Sequence, residues 1–249
     1  MSVGASSTLP AIGIVGGIGP EATVSYYRAL LAGYARRVPD GSTPTITIQS
    51  IDLQRGLTFL DAGDLEGLTG YLEDAVAALA RSGAGFALLS ANSPHIFFDE
   101  LARRVSIPLL SIVEATCGVV RAAGCGRLAL LGTRRTMEGS FYPEVFGRAD
   151  LELAVPEPDE RQWLHEKYLG ELVPGNFLPE TRAAVLELID RLHARAQVDG
   201  VLLAGTELPL LVRQEAHHGV PLFDTARIHV ERALDVLLEG QSPSAAGTQ

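Results

Sequence analysis

One repeated unit constrains this chain more than any other feature: a short apolar run that breaks into a polar loop ahead of a helical stretch. Gly85-Phe86-Ala87-Leu88-Leu89-Ser90-Ala91-Asn92-Ser93-Pro94-His95 is one copy, and Gly200-Val201-Leu202-Leu203-Ala204-Gly205-Thr206-Glu207-Leu208-Pro209 is another. A second pair, Ile12-Gly13-Ile14-Val15-Gly16-Gly17 and Leu128-Ala129-Leu130-Leu131-Gly132-Thr133, recurs at nearly the same offset. Two independent matches at one spacing predict a duplicated unit. Further strands are expected at 45–48, 108–112 and 151–155, with helices between them over 20–37, 95–104, 115–123, 137–147 and 158–173. Leu68, Leu72, Val76 and Leu79 share one helical face, as do Val185, Leu188 and Leu192. Strands that alternate with helices imply parallel sheets covered on both faces. Ligands of such sheets bind beyond the carboxyl ends of the strands. The loops after residues 15, 48, 90, 131 and 204 therefore converge. The expected fold is two similar α/β domains with parallel sheets and a cleft between them, the first built from residues 1–112 plus 213–249 and the second from 113–212.

Composition narrows the function classes. A chain of 249 residues, 47% of them hydrophobic, can bury a sizeable core. A formal charge of -10 argues against a nucleic-acid partner, and Lys167 is the only lysine. No apolar run approaches the roughly 18 residues of a membrane span. The stretch Met1–Pro10 lacks the basic and apolar regions of a signal peptide, so a cytoplasmic protein is expected. Met1–Leu9 and the residues after Gly240 are expected to form a loose arm and tail. Cys117 and Cys125 have neither metal-ligand nor disulfide-framework spacing, and no metal is expected.

The loops hold the candidate chemistry. Gly17-Ile18-Gly19-Pro20-Glu21-Ala22 fits the loose dinucleotide pattern, but Gln49 stands where an acidic residue would follow the second strand, and Asp52 comes only later. The same turn suits a small carboxylate bound by free N–H groups, or a purely structural role. Asn92 and Ser93, with Thr133 and Thr206 in the matching places of the other unit, read either as helix caps or as a carboxylate cradle. Arg55 could face an anionic substituent or solvent. His95 could carry a proton or start a helix. Glu207 could act as a base or favour a helix dipole. Ser90, Ser93, His95 and Asp99 supply the residue types of a nucleophilic triad, but the G-x-S-x-G turn is absent.

The chain resembles the aspartate/glutamate racemase family of cofactor-independent amino-acid racemases. The resemblance spans about 11–239 and rests on GGIGPEAT at 16–23, ANSPHIFFDEL at 91–101, SIPLLSIVEAT at 106–116, LLGTRRTMEGSFY at 130–142, AGTELPLL at 204–211 and FDTARIHVERA at 223–233. It implies two α/β domains with the active site between them, no cofactor, and often a homodimer. In such racemases two side chains, usually cysteines, flank the α-carbon; one removes a proton and the other delivers one to the opposite face. The family patterns C-N-T-x-H and G-C-T-E read here Ala91-Asn92-Ser93-Pro94-His95 and Ala204-Gly205-Thr206-Glu207, so Ala91 and Gly205 stand at the cysteine positions. Cys117 and Cys125 lie in a helix and in the turn entering a strand, away from the expected cleft. By resemblance, Gly17, Asn92, Ser93, Thr133 and Thr206 hold the substrate's carboxylate and amino group, and Arg55 a distal acid. A basic residue that serves aspartate-specific members near 175–178 has no counterpart, since Leu178 stands there. This speaks against a dicarboxylic amino acid, and loss of two side chains leaves room for a bulkier substrate.

Three readings follow. One is a racemase-family isomerase acting at a carbon next to a carboxylate without PLP or metal, with His95, Glu207 and Ser93 as acid/base candidates. A second is a lyase, decarboxylase or cyclase that reuses the carboxylate pocket. A third is a non-catalytic carboxylate-binding protein. All three take a small carboxylate or amino-acid-like partner, with no nucleic acid and no membrane.

Overall fold

The computed structural model describes residues 9–239; the arm and tail expected before Leu9 and after Gly240 lie essentially outside them. The first half runs β1 (Ala11–Gly16), α1 (Pro20–Arg37), β2 (Ile46–Ser50), α2 (Leu53–Asp61), α3 (Leu65–Arg81), β3 (Ala84–Leu89), a 3-10 turn (Ser93–Phe97), α4 (Phe98–Arg104) and β4 (Leu109–Leu110). The second runs α5 (Ile112–Ala122), β5 (Arg127–Gly132), α6 (Arg134–Glu138), α7 (Phe141–Gly147), β6 (Glu152–Ala154), α8 (Pro158–Lys167), a π-turn (Tyr168–Leu172), α9 (Pro179–Ala196), β7 (Gly200–Ala204), α10 (Leu208–Val212), β8 (Ala216–His217) and β9 (Val220–Asp224). Helix α11 (Thr225–Leu238) closes the described chain.

Two sheets form, in the orders β2-β1-β3-β4 and β6-β5-β7-β9-β8. Every pairing is parallel except that of β8 with β9. Dropping β8, the two orders superimpose element for element, as expected of a duplicated α/β unit. The central strands are continuous apolar runs because both of their faces are covered. Ile12, Ile14, Phe86 and Leu88 point to one side, against Tyr26 and Leu30 of α1 and Val230 and Leu234 of α11. Val15, Ala87 and Leu89 point to the other, against Leu68, Leu72, Val76 and Leu79 of α3. The second sheet repeats this, with Leu131 and Leu203 against α9 and Leu130 and Leu202 against α5 and α7. Each buried leucine or isoleucine contributes about 1.5–3 kcal/mol of transfer free energy, so the layers are held mainly by these strands.

Three elements differ from expectation. The loop expected over 49–55 gives way at Leu53 to a helix, α2, which runs to Asp61 and is capped by Asp52, whose Oδ1 accepts the Gln54 N–H at 2.8 Å. Residues 93–97 form a 3-10 turn ahead of α4, not the start of one α-helix. The chain does not return to the first unit at 213: β9 pairs with β7, so residues up to 224 belong by pairing to the second sheet, and only α11 crosses back, packing against α1 and α5. No helix among the described residues is long and apolar enough to cross a membrane.

Candidate active site

The carboxyl ends of both sheets open on a cavity of 650 Å³. Its walls come from the loops after β1, β2, β3, β5 and β7, from α2 and α3, and from the junction of α8 with its π-turn. Ala91 and Gly205 both line it.

Gly205 faces Tyr168. A β-carbon built on Gly205 would lie 2.4 Å from Tyr168 Cε2 and 2.9 Å from its hydroxyl oxygen, so any side chain at 205 collides with this ring. The phenol donates a hydrogen bond to Glu207 Oε2, which also accepts from the Thr206 hydroxyl at 2.9 Å. The other carboxylate oxygen, Oε1, is buried with no hydrogen-bond partner and packs over Gly19. Gly19 has φ 122°, and a β-carbon there would lie 2.3 Å from Oε1, so both conformation and contact require glycine. Burial pushes the Glu207 carboxyl above its ordinary range, against the pull of the Tyr168 and Thr206 hydrogen bonds. Burial, and then the Glu207 charge, push the Tyr168 phenol well above its usual value. The proton therefore rests on the phenol and is shared toward a carboxylate with high proton affinity.

His165 joins this wall from α8. It is half-buried, and its Nδ1 lies 3.4 Å from the Arg134 N–H, an arrangement that leaves the proton on Nε2. Burial first, then the Arg134 and Arg135 charges, lower its pKa and keep it neutral near pH 7. Among the residues lining the cavity, the ionisable ones are Arg134, Arg135, His165, Tyr168 and Glu207, and all belong to the second half of the chain. The first half contributes Ala91, Asn92, Ser93, Pro94 and Gln54 to the lining, with apolar side chains and no ionisable group.

Three hydroxyls bridge the halves. Ser93 Oγ lies 2.8 Å from Thr133 Oγ1 and 3.2 Å from Thr136 Oγ1. Ser93 and Thr133 line the cavity, and rotatable hydroxyls can turn their protons onto an anion. Asn92 also lines it, and its amide is partly engaged: Oδ1 accepts from the Tyr142 hydroxyl at 2.7 Å and one N–H of Nδ2 donates to Thr225 Oγ1 at 3.2 Å. That amide ties β3 to α7 and α11. Thr206 is on the wall with its hydroxyl spent on Glu207.

The remaining expected site residues lie elsewhere. His95 does not line the cavity. It is 3% exposed and stacked on Phe98, with Nδ1 3.1 Å from the Ala91 carbonyl and Nε2 3.2 Å from the Ile112 N–H. Accepting at Nε2 and donating at Nδ1 uses both nitrogens, and burial, with the neighbouring His229, lowers its pKa to about 3. The ring is a neutral brace between β3 and α5, not the proton carrier expected of it. Arg55 is exposed on α2, its guanidinium 4.6 Å from the centre of the Tyr71 ring, and it does not line the cavity. Gly17 donates its N–H to Thr23 Oγ1 at 3.0 Å, which leaves that group unavailable to a ligand, while the next residue, Ile18, lines the wall. Cys117, in α5, and Cys125, before β5, are free thiols outside the cavity lining.

Tyr168 and His165 were not singled out in the sequence. Their three-residue spacing puts both on one face at the end of a helix, but nothing local says that this face meets a loop 39 residues downstream. Among the described residues, the group that could hold a metal ion is Asp190, His217 and His218, beside the β8–β9 turn, and none of the three lines the cavity.

The family model described as Asp/Glu/Hydantoin racemase matches residues 15–233. The broad specificity amino-acid racemase RacX of Bacillus subtilis (strain 168) is 22% identical over 236 residues, covering 93% of this chain and 100% of that protein. An aspartate racemase homologue from Pyrococcus horikoshii OT3 is 31% identical with a TM-score of 0.80, over 92% of this chain and 99% of its own. A structure described as a putative Asp/Glu racemase, from Yersinia pestis, is 28% identical with a TM-score of 0.83, over 92% of this chain and 100% of its own.

Proposed function

The chain belongs to the Asp/Glu/hydantoin racemase family, and we propose that it is an enzyme of that family which moves a proton at a carbon next to a carboxylate from one face only. The observation that carries this reading is the Tyr168–Glu207 pair seated against Gly205, opposite a wall at Ala91 that offers no acid or base. By resemblance, Ala91 and Gly205 stand where the family's two thiols would be. In this scheme Tyr168 and Glu207 replace one thiol, and the other has no replacement.

The substrate carboxylate sits on the hydroxyls of Ser93 and Thr133, which are braced by Thr136. Positive charge from Arg134 and Arg135 favours an anion in the cavity. The phenol oxygen of Tyr168 takes the carbon-bound proton as its own proton passes to Glu207. Reversal returns a proton to the same face. Burial suits both partners to this task, since a weak carbon acid needs a strong, desolvated base. The scheme draws only on side chains of this chain; His95, Gly17 and Arg55 have no part in it.

One-sidedness favours a second reading within the same site. A decarboxylation leaves a carbanion that needs a single proton donor, and Tyr168 can supply it; an elimination needs a single base to take the proton as the leaving group departs, and the same pair can serve. A two-base racemisation needs a donor beside Ala91, where the wall has none.

The test is to incubate the protein with a panel of amino, hydroxy, aryl and malonic acids in deuterated water, with mass spectrometry and chiral analysis. Expected is deuterium incorporation next to the carboxylate, or loss of carbon dioxide with one-handed deuteration, lowered by about 10²- to 10⁴-fold in Tyr168→Phe. Binding without exchange or turnover across the panel would leave only a carboxylate-binding protein and overturn the proposal. Racemisation at equal rates from both enantiomers in Tyr168→Phe would overturn the assignment of the proton carrier.

A further inference from the structure

The half of the cavity that faces the proton carrier is almost entirely hydrocarbon. Helices α2 and α3 present Leu57, Leu60, Leu68 and Leu72 to it, and Ile51 and Phe97 close its sides. Three large apolar side chains that elsewhere would be covered, Leu65, Ile96 and Leu169, are 53%, 44% and 44% exposed, and all three line this cavity. Hydrocarbon left bare inside a concave, largely preformed site marks ligand surface. The ionisable side chains of the lining, Arg134, Arg135, His165, Tyr168 and Glu207, all come from the second half, and the Ser93–Thr133 hydroxyls stand with them; Gln54 is the polar residue that α2 adds. Among the described residues lining the α2–α3 wall none is a cation; Arg55, the one arginine of α2, lies over Tyr71.

We propose that the substrate is a carboxylic acid carrying a bulky apolar substituent, seated with its carboxylate on the Ser93–Thr133 hydroxyls and its hydrocarbon against α2 and α3. This assignment rests on the carboxylate site proposed above and adds what the other end of the molecule must be. An aspartate or glutamate side chain directed at α2 and α3 would set its second carboxylate against leucine, away from Arg134 and Arg135, at a desolvation cost that a hydrocarbon tail does not meet. A cavity of 650 Å³ far exceeds what a dicarboxylic amino acid fills and lies within the range used by drug-sized ligands. An α-amino group is compatible with the polar end; a charged or strongly polar tail is not.

The experiment is a titration of straight-chain acids from butanoate to octanoate into the intact protein by calorimetry, with L-aspartate and L-glutamate alongside. Each added methylene should tighten binding about threefold to fourfold, and octanoate should outbind both dicarboxylic amino acids. Leu57→Asn should flatten the series, and Leu65→Asn, at a side chain already half exposed, should flatten it without threatening the fold. Ser93→Ala should weaken every member by a common factor. A series of constant affinity, tighter binding of L-aspartate or L-glutamate than of octanoate, or an unchanged slope in both leucine variants would overturn the proposal. The two readings fail separately. A steep series with no deuterium exchange removes the enzymatic reading alone, and exchange on aspartate or glutamate with a flat series removes this one alone.

Discussion

Acidification from pH 7 to pH 5 should strip this fold of stability through two buried imidazoles. His95 and His229 are 3% and 0% exposed, and both ring nitrogens of each are engaged. His229 accepts from the Tyr26 hydroxyl and donates to the Leu110 carbonyl at 2.9 Å, so it too is neutral. Burial lowers His95 from 6.5 to about 3, and burial lowers His229 from 6.5 to about 4. An unfolded chain protonates both near 6.5, while the folded one does not. Below 6.5 the unfolded state therefore binds more protons, and stability that is complete above 6.5 falls as the pH drops toward the folded values. Each histidine costs about 1.4 kcal/mol per pH unit in that window, or about 2 kcal/mol by pH 5. Two together cost about 4 kcal/mol, a large share of the roughly 5–15 kcal/mol typical of a native protein. Glu207 and Asp224, whose carboxyls burial raises, act with the opposite sign and reduce the net loss. The decisive quantity is therefore a difference between variants. Urea unfolding by far-UV circular dichroism at pH 7, 6, 5.5 and 5 should show wild type losing stability faster than His229→Gln, whose amide can still donate to the Leu110 carbonyl. The two slopes should differ by about 1.4 kcal/mol per pH unit below 6.5. Parallel slopes would refute the claim that this ring is held neutral by the fold.

Further outcomes concern the cavity. Tyr168→Phe should lower any proton exchange or turnover by about 10²- to 10⁴-fold, the usual worth of a positioned acid/base, as measured by deuterium incorporation, with the folded state retained. Gly205→Ala should destabilise by about 1–3 kcal/mol through overpacking on the Tyr168 ring, and the cost should shrink in a Tyr168→Leu background, which a double-mutant cycle of urea midpoints would read. Glu207→Gln should gain in stability relative to wild type as the pH rises. The raised carboxyl keeps its proton in the fold after the unfolded chain has lost it, so wild type loses stability through that window and the amide does not. Equal stability profiles for the two proteins from pH 4 to 8 would contradict the buried, charge-penalised placement of Glu207.

The layers of this fold were legible because parallel sheets covered on both faces demand unbroken apolar strands, and Gly85–Leu89, Leu128–Leu131 and Val201–Ala204 are such runs. Strand β9 escaped because Pro221 breaks its pattern; the proline has no N–H to give, and the strand forms between β7 and the short β8 all the same. Helix α2 escaped because it spans only nine residues and contains Gly56. At the site, Asn92, Ser93, Thr133 and Thr206 line the cavity because strand ends are fixed by the strands. Sequence position could not place His95. A 3-10 turn directs that ring back onto the Ala91 carbonyl and the Ile112 amide, an outcome set by the turn's tighter geometry and not by residue type. Nor could it show that Asn92's amide bonds Tyr142 and Thr225, partners 50 and 133 residues away.

Read from the chain alone, Gly205 is a loss. In space it is one half of an exchange. The volume that a side chain at 205 would fill is taken by the Tyr168 ring, delivered by the π-turn at the end of α8, and the hydroxyl of that ring meets Glu207 two residues beyond Gly205. The same carboxylate presses on the backbone of the first half at Gly19, where only glycine admits it. Four positions from three segments thus specify one another: a side chain at 205 displaces Tyr168, removing Tyr168 leaves the Glu207 carboxylate with only Thr206, and a side chain at 19 evicts Glu207. Ala91 has no such partner, since no ionisable side chain of the first half lines the cavity. A coupled, buried Tyr168–Glu207 pair in the second half, with no ionisable counterpart in the first, is the asymmetry that the proposed one-faced proton transfer requires.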